Sequence, residues 1–559
     1  MLVCGAAALN TWAAASIIGG GIMELPVTLW MWLLALSPVF ILLLLMLRFN
    51  WGAADAAPAG VLTAAVVALI FYGADFNLLA LESAKGIWNA IIVLFVIWPA
   101  ILLYEVTYAA GAFDVFKRGM QKFTPNELLQ IMTLGWVFTS FLQGITGFGV
   151  PVAVAAPLLA GIGVIPVWAV VLSLLGQAWA NTFGTLGIAW QALVLSTGIG
   201  DTAYFVPTAL WASGFLLVID FFTGIAFCYF YGKMAAIRKG MPAVLLISLI
   251  QGGGQMIFSI FDPNVSCFIS TLLALASIYF IGKLPFYNRP WKLEGSLIMD
   301  RSAKHGHEEV ESQMKMAEAF VPYIVLTLTT MIFLMVPPIT QFLNTWQLGF
   351  SFPETQTVYG VINKSYTKYS PFSPLTHAGT LLLISSTWGY LYFRSKNYIQ
   401  PGKISGILRK SVEKTVPSTI AVVGLIIMSK IMGGTGQTTV LASGTAMVLG
   451  RYYAALSPGV GLLGAFMTSS NMSSNILFGE FQQITAKLLN LDMSLILGAH
   501  TAGGAIGSTI APSKIILGTT TVGVLGQEGL VLKKIIIWAM LSAAFVGAFV
   551  MVMTILNGG

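Results

Sequence analysis

The chain has 559 residues, of which 57% are hydrophobic and 9% charged, where an ordinary soluble domain carries about 25% charge; this excludes a soluble globular protein and leaves little sequence for a soluble catalytic domain. A membrane span needs ~20 apolar residues to cross ~30 Å of hydrocarbon, so the composition suffices for roughly a dozen spans. The net charge of +7 comes from Lys and Arg in short loops between apolar runs, which report topology in a lipid bilayer and not a nucleic-acid partner.

In chain order the apolar runs fall at 27–48, 59–74, 87–108, 129–171, 172–199, 203–232, 242–260, 264–284, 319–340, 375–393, 416–456, 458–478, 491–520 and 532–556. Several can hold two segments, which predicts an all-α polytopic membrane protein with about 12–14 transmembrane helices. The first 23 residues lack Lys and Arg, so the basic start of a secretory signal is missing and they read as part of the mature chain. Cys4, Cys228 and Cys267 lie in apolar surroundings without CxxC spacing or a nearby His cluster; no disulfide framework, metal site or cofactor is expected.

The loops holding Arg48, Lys117/Arg118/Lys122, Lys233/Arg238/Lys239, 283–318, 394–414 and Lys533/Lys534 collect 21 of the 28 Lys and Arg residues. Placed together on the cytoplasmic side, they predict a cell-membrane protein with both termini external and the 341–373 loop external. The expected layout is a transmembrane half at 1–284, a charged cytoplasmic linker at 285–318 with both signs of charge, and a second transmembrane half at 319–559. The block from 128 to 232 fits an even count of crossings poorly and is expected to hold re-entrant hairpins.

Two stretches depart from plain lipid-facing helix: FLQGITGFGVPVAVAAPLLAG (141–161) and MTSSNMSSNILFGE (467–480). Each is followed by a second break, GQAWANTFGTLG (176–187) and GAHTAGGAIGSTIAPSK (498–514). An unpaired backbone amide in hydrocarbon costs several kcal/mol, so non-helical backbone survives there only when buried in protein or lining a wet cavity. Small residues also let helices pack closely, which accounts for single Gly or Ser positions but not for Asn, Gln and paired Ser at one depth. Matched breaks in two halves, at 141–187 and 467–514, point to a substrate site near the bilayer midplane of an inverted-repeat transporter.

The strings LQGITGFGVPVA (142–153), FGTLGI (183–188), SSNMSSNILF (469–478), TAGGAIGSTIAPSKI (501–515) and VGVLGQEG (522–529) resemble the L-lactate permease family, which includes glycolate permeases. Gly144, Gly147, Phe148, Gly149, Pro151 and Val152 match the first family motif, and Ser473, Ser474 and Asn475 match the second. The resemblance runs from about residue 25 to the C-terminus. It implies a secondary carrier for short 2-hydroxy monocarboxylates such as L-lactate, working by proton symport. The family pattern has carboxylates where this chain has Gln143 and Asn471, and neutral residues where it has Lys430, His500 and Lys514. Negative charge is lost and potential positive charge gained.

The expected substrate-binding set is Gln143, Thr146, Gly147, Gly149, Asn181, Thr182, Ser473, Ser474, Asn475, His500, Thr501 and Lys514. Insertion scales put the cost of burying a lysine at ~2.5–3.5 kcal/mol, which an anionic substrate at Lys514 would offset; a lysine snorkelling to an interface is the plain alternative. Lys430 and Asp220 are assigned an anion or coupling role. His500 is either a proton relay, since its ordinary pKa is about 6.5, or a structural histidine. Glu105, Asp114, Asp201 and Asp262 read as solvated or interfacial.

The leading function is a secondary active transporter of small organic anions by alternating access. Its alternative keeps the fold and carries a more anionic substrate, a dicarboxylate or sulfonated hydroxy acid, or works as an exchanger or uniporter without proton coupling. A membrane enzyme lacks support, since the chain has no HExxH, GxSxG, CxxC or paired intramembrane carboxylates. A passive channel is favoured only by the missing acids. No GxxxxGK[ST] string is present, so active transport is expected to use a coupled ion, a proton or alternatively sodium, or a partner.

Overall fold

The computed structural model describes residues 17–18, 21–22, 25–49, 51–121, 124–147, 149–301 and 314–556. Cys4, Lys122, Phe148 and the 302–313 part of the charged linker lie outside the described residues.

Long apolar stretches bounded by capping residues become long helices. Thr28 caps α1, Leu29–Arg48, by accepting from the Met31 amide, and Arg48 sits in its last turn, where a cation complements the helix dipole. α2 is Ala53–Phe71, and α3, Phe76–Ala109, starts at Asp75, whose carboxylate accepts from the Leu78 amide at 2.7 Å. α4, Glu127–Ile145, carries a π-helical insertion at Thr133–Phe138. Three short helices follow: α5, Val150–Ala160; α6, Pro166–Gly176; and α7, Gly184–Thr197. α8, Phe205–Ser248, is kinked at Gly232 and Lys233 and runs through a second π segment at Leu249–Gly253. α9 is Pro263–Ile281, α10 Val321–Met335 and α11 Ala378–Ser395. The C-terminal part holds α12, Ile404–Gly434; α13, Gln437–Leu449; α14, Tyr453–Thr468; α15, Asn471–Leu488; α16, Met493–Gly507; α17, Pro512–Thr521; and α18, Glu528–Leu556.

The protein is a multi-pass, predominantly helical membrane protein with broken helices. Among the described residues eight helices are long and apolar enough to cross a membrane, and Val321–Leu334 with Pro337–Asn344, bent by 82°, makes a ninth, broken candidate. This is fewer than the twelve to fourteen expected from hydropathy. Interior runs such as 129–199 are cut into pieces: α5 and α6 have 11 residues each, about 16 Å of helix at 1.5 Å per residue, half a crossing.

α3 packs along α11 and α12, and α12 also along α2; α16 packs along α8, α14 and α15. The α3–α12 seam is pinned near one end by Lys414, whose ammonium binds the Glu105 carboxylate. Glu105 is therefore not solvated as its place at a run's end suggested: its side chain is 2% exposed. Asp262 does lie at a chain turn, where it caps α9 by accepting from the Asn264 amide at 2.9 Å.

The 341–373 segment, read from sequence only as a loop, contains an antiparallel pair, β1, Leu348–Phe352, and β2, Tyr366–Phe372. Its aromatic face, Phe352, Tyr369 and Phe372, buries against Trp88 and Ile92 of α3. The Trp88 indole N–H donates to the carbonyls of Tyr369 and Ser370, both at 3.1 Å.

Candidate functional site

The 139–197 and 453–521 stretches follow one plan: helix, break, helix, turn, helix, break, helix. In the first, residues 146–149 separate α4 from α5 and 177–183 separate α6 from α7; in the second, Ser469 and Ser470 separate α14 from α15 and 508–511 separate α16 from α17. The backbone in and beside the breaks is strained. Thr185 and Leu186 take φ of 51° and 49°, and Ser469 takes 59°, a left-handed conformation that costs a non-glycine residue roughly 1–2 kcal/mol. Gly147, at φ +50°, has no room for a side chain, because a β-carbon there would collide with the Thr185 hydroxyl.

The segment from Asn181 to Thr185 is where the four breaks meet. The Thr182 hydroxyl accepts from the Asn471 amide at 3.0 Å and lies 3.2 Å from the Thr501 carbonyl. Asn475 donates to the Thr501 hydroxyl at 2.9 Å and to the Ala189 carbonyl at 2.8 Å. On its other side Asn181 donates to the Ala505 carbonyl at 3.3 Å and accepts from the Lys514 ammonium at 3.4 Å. Gln143 closes the cluster against Gly184: a β-carbon on that glycine would stand 2.7 Å from the Gln143 carbonyl oxygen and 3.1 Å from its side-chain nitrogen. Gly149 faces Leu517 of α17.

Thus Gln143, Gly147, Asn181, Thr182, Asn475, Thr501 and Lys514 share one buried cluster, although they come from both ends of the chain. The remaining expected residues do not join it by side-chain bonds. Thr146 donates to the Leu142 carbonyl within its own helix. Ser473 uses its backbone N–H on the Ser470 cap, and Ser474 donates to the Gly461 carbonyl at 2.8 Å, fastening α15 to α14. His500 is turned away to Gln482, at 3.1 Å from its Nδ1, and Gln482 in turn accepts from the Tyr453 hydroxyl. Asp220 lies elsewhere, fully buried, with one carboxylate oxygen accepting from Trp136 at 2.7 Å and Gln251 at 3.1 Å. Those two donors sit in the two π segments. Lys430 reaches the Leu195 carbonyl at 3.4 Å.

The structure adds residues that sequence reasoning did not place in the site: Asn471 and Thr185, which touch the cluster through their side chains, and Gln177, whose backbone carbonyl accepts from Asn181 at 2.9 Å. Gln177 is fully buried and neither end of its amide has a partner. Its signal was present, since it opens the same polar string as Asn181.

Chemically the cluster offers one ammonium and several idle acceptors. The side-chain oxygens of Gln143, Asn471 and Asn475 are buried without donors, each a cost of about 1–3 kcal/mol unless a donor meets it. The N-terminus of α15 opens at Asn471, and a helix start favours negative charge. Among the described residues no group of three or more His, Cys, Asp or Glu is placed to hold a metal ion.

A family described as L-lactate permease matches residues 31–557. The chain is 24% identical over 528 residues to an L-lactate permease of Halalkalibacterium halodurans, covering 93% of this chain and 96% of that one. It is also 24% identical over 495 residues to the glycolate permease GlcA of Escherichia coli, with 83% and 84% covered. Among solved structures, the YdaH transporter of Alcanivorax borkumensis, described as having an unusual topology, aligns with 13% identity and a TM-score of 0.44 over 85% of this chain and 87% of that one.

Proposed function

The chain belongs to the L-lactate permease family, whose members carry lactate-like organic anions across membranes, and on that premise we propose that it is a secondary carrier moving a short 2-hydroxy monocarboxylate, L-lactate or glycolate, by alternating access. Lys514 anchors the carboxylate, the idle amide oxygens of Gln143, Asn471 and Asn475 receive the hydroxyl, and the Thr182–Thr501 pair sets the floor between them. The two matched stretches act as inverted repeats with both chain termini external, and a coupled ion, a proton before sodium, supplies the driving force.

The observation that supports this reading is the contact of Lys514 with Asn181 at 3.4 Å, inside a cluster built from all four breaks. A buried ammonium with one long, neutral contact is under-compensated, and a carboxylate would complete it. A second reading, a more anionic substrate, draws support from the same cluster, whose bonded side chains include no carboxylate to repel a second negative charge.

Counterflow in proteoliposomes separates these readings. A carrier loaded with unlabelled L-lactate exchanges it for labelled L-lactate, a channel does not, and an enzyme leaves a changed product. Competition by malate or sulfolactate that exceeds competition by glycolate would move the assignment to the more anionic class.

A further inference from the structure

A second set of charges, with Glu82 and Lys85 buried and Lys430 and Glu480 half-buried, lies away from the cluster, where α12 ends. Its last two residues are Gly433 and Gly434, and each makes room for a carboxyl from a different part of the chain. A β-carbon on Gly433 would stand 2.7 Å from Oε1 and 2.9 Å from Cδ of Glu480; one on Gly434 would stand 2.7 Å from Cδ and 3.1 Å from Oε2 of Glu82. Both acids thus sit at the C-terminal end of a 31-residue helix, the negative pole of its dipole, where a carboxylate is disfavoured.

The two acids are treated differently. Glu82 is neutralised by Lys85 at 2.6 Å, and both side chains are 4% exposed. The ammonium of Lys85 is further boxed by the rings of Phe352, Tyr366 and Tyr369 of the β hairpin, 5.7–5.9 Å away. Among the described residues Glu480 has no hydrogen bond and no ammonium within 4.0 Å. The charged groups that act on it are Lys430 of α12, Glu82 of α3 and Lys487 of its own helix. The other titratable groups on helices packed against α15 are engaged or placed elsewhere: Tyr453 with Gln482, His500 with Gln482, Asp492 as the cap of α16, and, far from Glu480 along α12, Lys414 with Glu105, Arg409 with Glu413, and an exposed Lys410. Neither α7 nor α13 carries one.

A second observation concerns Lys430. Lys430 lines a small cavity between α3, α7, α12 and α15, and Asn89 forms part of its wall. Asn89 is 1% exposed, its nitrogen bonds the Tyr369 hydroxyl at 3.3 Å, and its side-chain oxygen has no donor. An acceptor left idle in the wall of a cavity that an ammonium also lines calls for a hydrogen-bearing occupant, a water or hydronium, there.

We propose, resting on the carrier reading above, that Glu480 is the proton-carrying group of this chain. Its carboxylate takes one proton from water on the side of higher proton concentration, is neutral while the anion crosses, and returns that proton to water on the other side; Lys430 compensates the charge of the deprotonated form. α15 links this site to the substrate cluster. Asn471 and Asn475, four residues apart, face Thr182 and Thr501, while Ile476 and Glu480, also four apart, face α12, where the Ser429 hydroxyl donates to the Ile476 carbonyl at 3.0 Å. One helix therefore carries anion ligands on one face and the titrating carboxyl on another. The amides at 143 and 471 cannot titrate, and in the carrier reading the Lys514 ammonium is engaged by the anion, so on that reading the proton is handled outside the cluster.

The test uses the full chain in proteoliposomes with labelled L-lactate and a pH dye trapped inside. Wild type is expected to show counterflow and lactate-evoked proton influx. Glu480→Gln, which mimics the neutral form, is expected to keep counterflow within about twofold and to lose proton influx and gradient-driven accumulation by at least tenfold; Glu480→Asp is expected to keep both. Proton influx that persists in Glu480→Gln overturns the proposal, and so does loss of counterflow along with influx in that variant. If wild type exchanges lactate but moves no proton, this proposal falls and the carrier reading stands. If wild type shows no counterflow with L-lactate or glycolate, the carrier reading itself fails.

Discussion

The amide of Asn471 donates to the hydroxyl of Thr182 at 3.0 Å across 289 positions of the chain, and this bond joins the break before α15 to the break before α7. Both residues are buried, Thr182 completely. A neutral buried hydrogen bond contributes about 0.5–1.5 kcal/mol, whereas stranding one partner costs about 1–3 kcal/mol. Thr182→Val and Asn471→Leu should therefore each destabilise the protein, and the double variant should be more stable than the sum of the two losses predicts. Thermal unfolding of the purified protein in detergent, run as a double-mutant cycle, reads this coupling directly; additive losses would show that the two residues do not act on each other.

Gly147 and Gly459 make opposite forecasts for the same substitution. Gly147 has φ +50° and a β-carbon there meets the Thr185 hydroxyl, while Gly459, inside α14, has nothing within 4 Å. Gly147→Ala should reduce lactate counterflow at least tenfold at matched protein amount. Gly459→Ala should leave it unchanged and raise stability by about 0.5–1 kcal/mol, the helix penalty of glycine relative to alanine. Equal transport rates in the two variants would remove the break after α4 from the mechanism.

How much of this was legible in the sequence depended on whether a residue's meaning lay in its neighbours along the chain. Asn181, Thr182 and Asn475 stood out because amides and hydroxyls recur inside apolar runs, and the structure gathers them. His500 did not belong with Thr501 despite adjacency, since consecutive helical residues point about 100° apart and His500 turns to Gln482. Glu82 and Lys85 escaped notice because a pair three residues apart neutralises itself within LESAK. The isolation of Glu480 becomes visible only when Gly433 packs against it. Hydropathy does not show where a span is interrupted, because two 11-residue helices joined by a short turn read as one apolar run. The hairpin stayed hidden because its register shifts twice, between Leu348 and Phe350 and between Phe350 and Phe352, which disrupts the two-residue period of a half-buried strand.

Orientation rests on charge bias alone and is open to a direct check. Leu297 and Trp346 are 67% and 62% exposed and lie in segments expected on opposite sides. In a background with Cys4, Cys228 and Cys267 replaced, an impermeant maleimide applied to intact cells should label Trp346→Cys and leave Leu297→Cys unlabelled until the membrane is opened. The reverse pattern would invert the topology.

The substrate assignment turns on Lys514. Its side chain is buried, with 9% of the residue exposed, and among the described residues its ammonium has one partner, the Asn181 side-chain oxygen at 3.4 Å, long for a charge-assisted bond. A bound carboxylate would supply a bond worth about 1.5–3 kcal/mol. Lys514→Met keeps the length and apolar stem of the side chain and removes that bond, so L-lactate affinity should fall roughly 10- to 200-fold at 1.4 kcal/mol per decade while the protein stays folded. Lys514→Arg should recover only part of the loss, because a planar fork does not fit a site shaped around a compact ammonium. Equilibrium binding of labelled L-lactate to the purified protein, with thermal unfolding as the folding control, measures all three. An unchanged dissociation constant in Lys514→Met would make Lys514 a lysine that reaches toward an interface, and the carboxylate would then have to be held by the N-terminus of α15 alone.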